Sequence, residues 1–238
     1  MIRYSIIREK NPREILLLRG TGCRWKKCSF CDYHFDCSPD EEENLEINRA
    51  ALSCVTGEFS RLEVINSGSF PELGKAFLFE LASVCREKGI RILHFECHYR
   101  YRREIAYWRK VFAGFGTELR IKTGVESFDA DFRENVLRKG ISESDPEKIA
   151  EYFDECCLLF GIHGQSAESM RSDIETGLAH FERVCVNIFV ENSSDIRPDP
   201  AVIDAFKKHI LPVYKDNARV DILLDNTDFG VGKTEENE

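Results

Sequence analysis

No stretch of about 18 apolar residues occurs in the 238-residue chain, so nothing in it spans a bilayer as a single helix. The opening residues, Met1-Ile-Arg-Tyr-Ser-Ile-Ile-Arg-Glu-Lys10, lack an apolar core of signal-peptide length, and the expectation is a cytoplasmic protein. Basic residues are outnumbered, 33 Lys and Arg against 42 Asp and Glu, for a formal charge of −9. Neutralising a nucleic-acid backbone needs a basic surface, so that class of partner is set aside. The local cluster Arg100-Tyr-Arg-Arg103 reads as a solvated helix face. Arg24, Lys26 and Lys27 read either as a solvated loop or as charges that serve the cysteines beside them. No Pro/Gly/Ser-rich linker, repeat or low-complexity segment divides the chain. The expectation is therefore one domain over residues 1–232, with a disordered polar tail at 233–238. An apolar content of 42% supports one sizeable core, burying roughly 70–75% of the surface of the unfolded chain.

What is present is a rhythm. Apolar runs of strand length occur at Glu14–Leu18, Leu62–Ile65, Ile90–Phe95, Leu119–Lys122, Cys156–Phe160, Val184–Val190 and Val220–Leu224. Amphipathic stretches of helix length fall between them: Glu46–Phe59, Phe70–Lys88, Glu104–Phe115, Asp129–Leu137 with Pro146–Phe153, Ala167–Phe181 and Pro200–His209. Such alternation predicts an α/β fold of parallel strands joined by right-handed crossovers. Gly-x-Gly-x-x-Gly is missing after the first strand, which removes the main support for a dinucleotide fold. Polar or glycine-bearing residues follow strand after strand: Gly20–Cys23, Asn66–Ser69, Glu96–His98, Gly124–Ser127, Gly161–Gly164, Glu191–Asn192 and Asp225–Asp228. In a full or partial (β/α) barrel these positions converge on one rim, where such folds carry their sites.

Three cysteines lie within nine residues, Cys23-Arg-Trp-Lys-Lys-Cys28-Ser-Phe-Cys31, just past the run Ile15-Leu-Leu-Leu18. Thiolates gathered on one loop at a strand end bind a metal or an iron–sulfur cluster more often than they pack a core. Three are one short of a closed cage, which in a four-iron cluster leaves one iron open. Other cysteines, Cys97, Cys156, Cys157 and Cys185, sit in apolar runs and read as small hydrophobes. Tetrahedral zinc is the competing reading of the loop, with His34 or Cys37 as fourth ligand. It leaves the βα rhythm unexplained, and only one Cys-x-x-Cys pair is present.

These residues resemble the radical S-adenosylmethionine (SAM) enzymes, and the resemblance spans nearly the whole chain. It implies a partial six-unit (β/α) TIM-like barrel carrying a [4Fe–4S] cluster on Cys23, Cys28 and Cys31. Phe30 matches the aromatic found before the last ligand. Asn66, Ser67, Gly68 and Ser69 fall where the family has a glycine motif for the methionyl amino group, though without its usual acidic residue. The stretch from Gly124 to Gly140 resembles the fourth βα unit, implying cofactor contacts from Glu126 and Ser127. Leu158-Leu-Phe-Gly-Ile-His-Gly-Gln165 resembles the fifth-strand motif against the adenine, implying Gly161 and His163. The loop departs from the commonest family spacing, with four residues instead of three between its first two cysteines. In the chemistry implied, an electron from a donor such as flavodoxin or ferredoxin cleaves SAM to methionine and a 5′-deoxyadenosyl radical. The radical then abstracts a substrate hydrogen, while the protein supplies geometry and excludes water.

Within that superfamily, overall length, the Cys-x4-Cys-x2-Cys loop, Val186–Asn192 and Asp221–Gly232 are similar to a subgroup of queuine lyases. The resemblance implies a modified deazapurine base as substrate, cut between its amine and a cyclopentenediol. Glu191, Asp225, Asn226 and Asp228 then become candidates for the base edge, since carboxylates accept from base N–H donors. Glu96 and His98, with Glu191, become candidates for catalytic contacts to the diol or the amine. His98 can equally just end a strand, and Asp225-Asn226 can be turn chemistry. Other small molecules, a tRNA base or a protein side chain remain as alternative substrates. Cys23→Ala, Cys28→Ala and Cys31→Ala should each abolish cluster assembly, measured as iron bound after anaerobic reconstitution, whereas Cys37→Ala should retain it.

Overall fold

A computed structural model describes residues 2–224. The expected tail at 233–238 lies outside the described residues, as do Asp225, Asn226 and Asp228. The chain groups into two compact units, one formed by the stretch up to Lys26 with Tyr33–Thr123, the other by Lys27–Asp32 with the stretch from Gly124 onward.

In the first unit, β1 (Tyr4–Ile7), β2 (Arg13–Leu18), β3 (Arg61–Asn66) and β4 (Ile92–Glu96) lead to β5 (Glu118–Glu126), which continues into the second unit. Neighbours from β2 to β5 pair in parallel. Every residue of β2 is buried, the mark of a strand covered on both faces. β1 departs from the all-parallel expectation: it runs antiparallel to β2, with Tyr4 opposite Leu16 and Ile7 opposite Arg13. Only five residues separate the two strands, too few for a parallel crossover, and Lys10 (φ 33°) and Asn11 (φ 62°) make the turn.

Three helices follow in this unit: α1 (Glu41–Ser53), α2 (Lys75–Glu87) and α3 (Arg102–Gly114). α1 begins five residues earlier than its apolar spacing suggests. Asp40 caps it, accepting from the Glu42 and Glu43 amides, and three glutamates in the first turn suit the helix dipole. The expected helix Phe70–Lys88 is broken into a 3₁₀ turn, Phe70–Leu73, and α2, because Pro71 opens the turn and Gly74 adopts φ 85°. α3 buries Ile105, Trp108 and Phe112 at helical spacing. The Trp108 and Phe112 rings join Phe70 and Phe95 in an aromatic core, with Phe70 stacked on Phe95 at 4.8 Å and Phe112 edge-on to Phe95 at 6.0 Å.

The second unit carries β6 (Glu155–Phe160), β7 (Arg183–Ile188) and β8 (Val220–Leu223), paired in parallel. Its helices are α4 (Pro146–Ala150), α5 (Ala167–His180), α6 (Pro200–His209) and the short α7 (Leu211–Tyr214), which starts at a proline-bearing first turn. The segment expected as a helix over Asp129–Leu137 forms a π-helical turn, Phe132–Val136. Such turns recur at functional sites. Gly177 lets α5 press onto β7, since a Cβ there would stand 2.7 Å from Val184 Cγ2. Arg183 is buried between Asp221 and Glu155, 2.9 Å from each.

Asp173, buried on α5, accepts from Ser127 Oγ at 2.9 Å and the Phe128 amide at 2.7 Å. Burial raises its pKa from 3.8 to about 6, with the two hydrogen bonds and Arg133 opposing and Asp129 adding to the rise. A folded-state pKa above the unfolded value means the unfolded chain loses its proton first as pH climbs. Stability therefore falls between about pH 4 and pH 6, by up to roughly 2–3 kcal/mol. Asp173→Asn should flatten that decline, checked by urea unfolding across the same pH range.

Candidate cofactor and substrate site

In the first unit the chain leaves β2 at Leu18 with only an isolated backbone bridge, Gly20 to Cys37, so side chains must supply most of its hold. Asn48 clamps Arg19 at both backbone groups, accepting from its amide at 2.7 Å and donating to its carbonyl at 2.8 Å. Gly22 turns at φ 96°, where a Cβ would meet Cys37 Sγ at 3.1 Å. The next anchor is Glu72. It accepts from the Arg24 amide at 2.9 Å, the Ser69 amide at 2.7 Å and the Tyr101 hydroxyl at 2.7 Å. Burial, then the bond to Glu72, hold the Tyr101 phenol well above its ordinary range, so it stays a donor.

Gly68 lies against this carboxylate and against Cys23. A Cβ on Gly68 would stand 2.2 Å from Glu72 Oε2 and 3.3 Å from Cys23 Cα. Beside it Asn66 donates to the Ser69 carbonyl at 3.3 Å, while Asn66 Oδ1 and Ser67 Oγ are buried without a partner among the described residues. Ser69 Oγ accepts from the His98 amide at 3.0 Å. The His98 ring stacks on Trp25 at 5.6 Å, and its Nδ1 accepts from the Arg100 amide at 3.2 Å. Glu96 ends β4 with its carboxylate 3.5 Å from Lys122 Nζ. Lys122 also donates to Glu63, which accepts from Arg13 as well, all three buried. Thus Cys23, Asn66–Ser69 and His98 come together, and Glu96 ends in a buried charge network.

In the second unit Cys28 and Cys31 are partly exposed and outside any disulfide. Between them the Ser29 amide donates to the Leu137 carbonyl at 3.1 Å, and Ser29 Oγ to the Val136 carbonyl at 2.5 Å. The Phe30 carbonyl accepts from Asn192 Nδ2 at 2.8 Å, and its ring packs on Leu137, Leu159, Ile162 and Phe189. Lys139 Nζ stands 5.5 Å over that ring and 2.7 Å from Glu126 Oε1. Burial pulls the Lys139 ammonium down, but Glu126, Cys28 and Cys31 outweigh it and hold the group well above its ordinary range. Ser127, by contrast, spends its hydroxyl on Asp173 and on the Asp129 amide at 3.1 Å.

Of the remaining expected residues, Asp225, Asn226 and Asp228 lie outside the described part, and Gly161, His163 and Glu191 have contacts of their own. Gly161 (φ 98°) lets Ile203 approach to 2.9 Å of a notional Cβ. The His163 side chain is 94% exposed, its Nδ1 3.0 Å from Asp199 Oδ2. That hydrogen bond, with the Ala201 amide, holds the Asp199 carboxyl below its ordinary range. The Glu191 side chain is 71% exposed and 3.6 Å from Arg197. Among the described residues no three Cys, His, Asp or Glu side chains converge as a mononuclear metal cage. No described helix is long and apolar enough to cross a membrane.

No protein-family model and no curated protein matches the chain. Among solved structures, a queuine lyase from Clostridium spiroforme, bound to SAM and queuine, is 42% identical over 98% of this chain and 100% of its own, with a TM-score of 0.91. The chain belongs to the queuine lyase family. The radical SAM resemblance is thereby borne out, and the zinc-adaptor alternative gives way. Streptococcus suis SuiB shares the fold alone: TM-score 0.54 and 13% identity, over 87% of this chain and 48% of that one. The fold class stands as expected, α/β with parallel strands as in a partial TIM-like barrel.

In this queuine lyase family member, sequence reasoning passed over Glu72, Lys122 and Lys139, and marked Asn192 only as a polar residue after a strand. Glu72 is signalled by Ser69-x-x-Glu72, the spacing of a capping box. Glu63 and Lys122 are charges inside apolar strand runs, which only partners make tolerable. No local pattern links Asn192 to its partner Phe30, 162 residues away. Because Gly68 has no room for a Cβ, Gly68→Ala should displace Glu72 from Arg24 and Ser69. Its SAM affinity should fall at least tenfold, measured by equilibrium dialysis of the reconstituted protein.

Proposed function

We propose that this protein is a radical SAM queuine lyase that releases 7-aminomethyl-7-deazaguanine by breaking the bond between the amine of queuine and its cyclopentenediol. The likeness to the C. spiroforme enzyme over nearly the full length of both chains carries this reading. The donor set suits a [4Fe–4S] cluster: Cys23, Cys28 and Cys31 are partly exposed and outside any disulfide, and three thiolates leave one iron open. The cationic Lys139 beside Cys28 and Cys31 offsets thiolate charge. Buried Asn66 Oδ1 and Ser67 Oγ lack partners among the described residues, and Gly68 offers bare backbone, features that suit a cradle for the amino-acid end of SAM. When bound, the cluster and SAM supply a one-electron cleavage to methionine and a 5′-deoxyadenosyl radical.

The protein's own part is to hold and shield. Phe30 covers the loop between two ligands, and Ser69, Glu126, Ser127, Gly161 and His163 complete the proposed cofactor surroundings. His98 accepts a backbone hydrogen bond at Nδ1, which leaves the ring proton on Nε2 to donate to the diol or amine. Glu96 is kept beside Lys122 as an acceptor for a hydroxyl. Glu191, Asp225, Asn226 and Asp228 are the proposed readers of the deazaguanine edge. Arg24, Lys26 and Lys27 are exposed, a surface suited to an acidic one-electron donor such as flavodoxin or ferredoxin. Reduced protein given SAM and queuine should form 5′-deoxyadenosine together with the aminomethyl base, read by mass spectrometry. Cofactor cleavage that leaves queuine untouched would overturn the substrate while sparing the cofactor chemistry.

A further inference from the structure

The loop bearing Lys139 is unusually well built for a surface connection. Arg133, 1% exposed, donates to the carbonyls of Ser127, Ile141 and Glu143. Glu134 takes the amides of Gly140 at 2.8 Å and Ile141 at 3.0 Å. Arg138, just before Lys139, adopts φ 53° and Glu126 adopts φ 67°, a backbone region that non-glycine residues occupy only when surroundings impose it. Gly124 completes the fit, because a Cβ there would stand 2.3 Å from Glu126 Oε1 and 2.7 Å from Lys139 Nζ. The result is one ammonium fixed over Phe30, the residue between Ser29 and Cys31, and oriented by one buried carboxylate. Salt-bridge stability alone is a weak reason for such an arrangement, since buried ion pairs seldom gain over apolar packing.

We infer that the Glu126–Lys139 pair is a charge device that sets how readily the cluster held by Cys28, Cys31 and Cys23 accepts an electron. The inference rests on the cluster reading proposed above. One electron enters from an external reductant and raises the negative charge of the cluster by one. A fixed cation beside two of its thiolates favours that added charge, and the carboxylate behind the cation tempers it. Lys139 and Glu126 act here as positioning and tuning residues through the ligands they face.

The test is a redox titration of the reconstituted holoprotein with dithionite, followed by electron paramagnetic resonance, on protein of verified iron and sulfide content. Lys139→Met should make the cluster harder to reduce, changing the ratio of reduced to oxidised cluster at fixed potential by about tenfold, equivalent to about 59 mV for one electron. Glu126→Gln should shift it in the opposite direction, and Lys139→Arg should stay within about twofold of wild type. If Lys139→Met fails to load iron, the sign of the shift in Glu126→Gln decides the matter. Shifts of the same sign in Lys139→Met and Glu126→Gln, or a Glu126→Gln titration equal to wild type, would overturn the inference. Wild-type protein that takes up no iron would overturn the cluster reading itself.

Discussion

Past β2 the cysteine-bearing segment has little regular backbone pairing, and the need to hold it in place governs much of what surrounds it. In the first unit Asn48 and Glu72 meet it by taking the amides of Arg19 and Arg24 on either side of Cys23. In the second unit the carbonyls of Val136 and Leu137 and the amide of Asn192 fix Ser29 and Phe30 between Cys28 and Cys31. A hydrogen bond to an ionised acceptor such as Glu72 is stronger than a neutral one. Each anchor comes from a segment that the strands bring near, so the fold serves the loop and not the reverse.

Charge is handled with the same economy. Buried Glu63 joins Arg13 and Lys122 in the first unit, and Glu155 and Asp221 join Arg183 in the second. Removing one member of such a group strands the others, typically at a cost of about 3–5 kcal/mol. The Glu126–Lys139 pair differs from these because Cys28 and Cys31 are among its electrostatic partners. A chain with a formal charge of −9 thus keeps a fixed cation where additional negative charge has to be accommodated.

Much of this was legible from residues alone, for physical reasons. Continuous apolar runs such as Ile15–Leu18 and Cys156–Phe160 admit few fates other than buried parallel strands, and both are wholly buried. The helix Pro200–His209 follows its expected bounds because Asp199 caps it and Pro200 opens it. Breaks were harder. Phe70–Lys88 has a helical apolar period throughout, and Gly74 interrupts it. The short edge strand Tyr4–Ile7 is half-buried along its length and carries no alternation to read. For the site, chemistry-bearing clusters such as Cys23–Cys31 and Asn66–Ser69 were visible, whereas their supports were not, since Glu72 and Lys139 acquire meaning only through partners distant in sequence. His163 shows the converse: a motif position flanked by glycines whose ring faces solvent and Asp199.

The central claim is that three cysteines hold a four-iron cluster with one iron open to SAM. Electron paramagnetic resonance of the anaerobically reduced wild-type protein, with and without saturating SAM, tests it most directly. The account predicts a reduced [4Fe–4S] signal whose g-values move when SAM is added. A signal indifferent to SAM, or protein without iron, would contradict it.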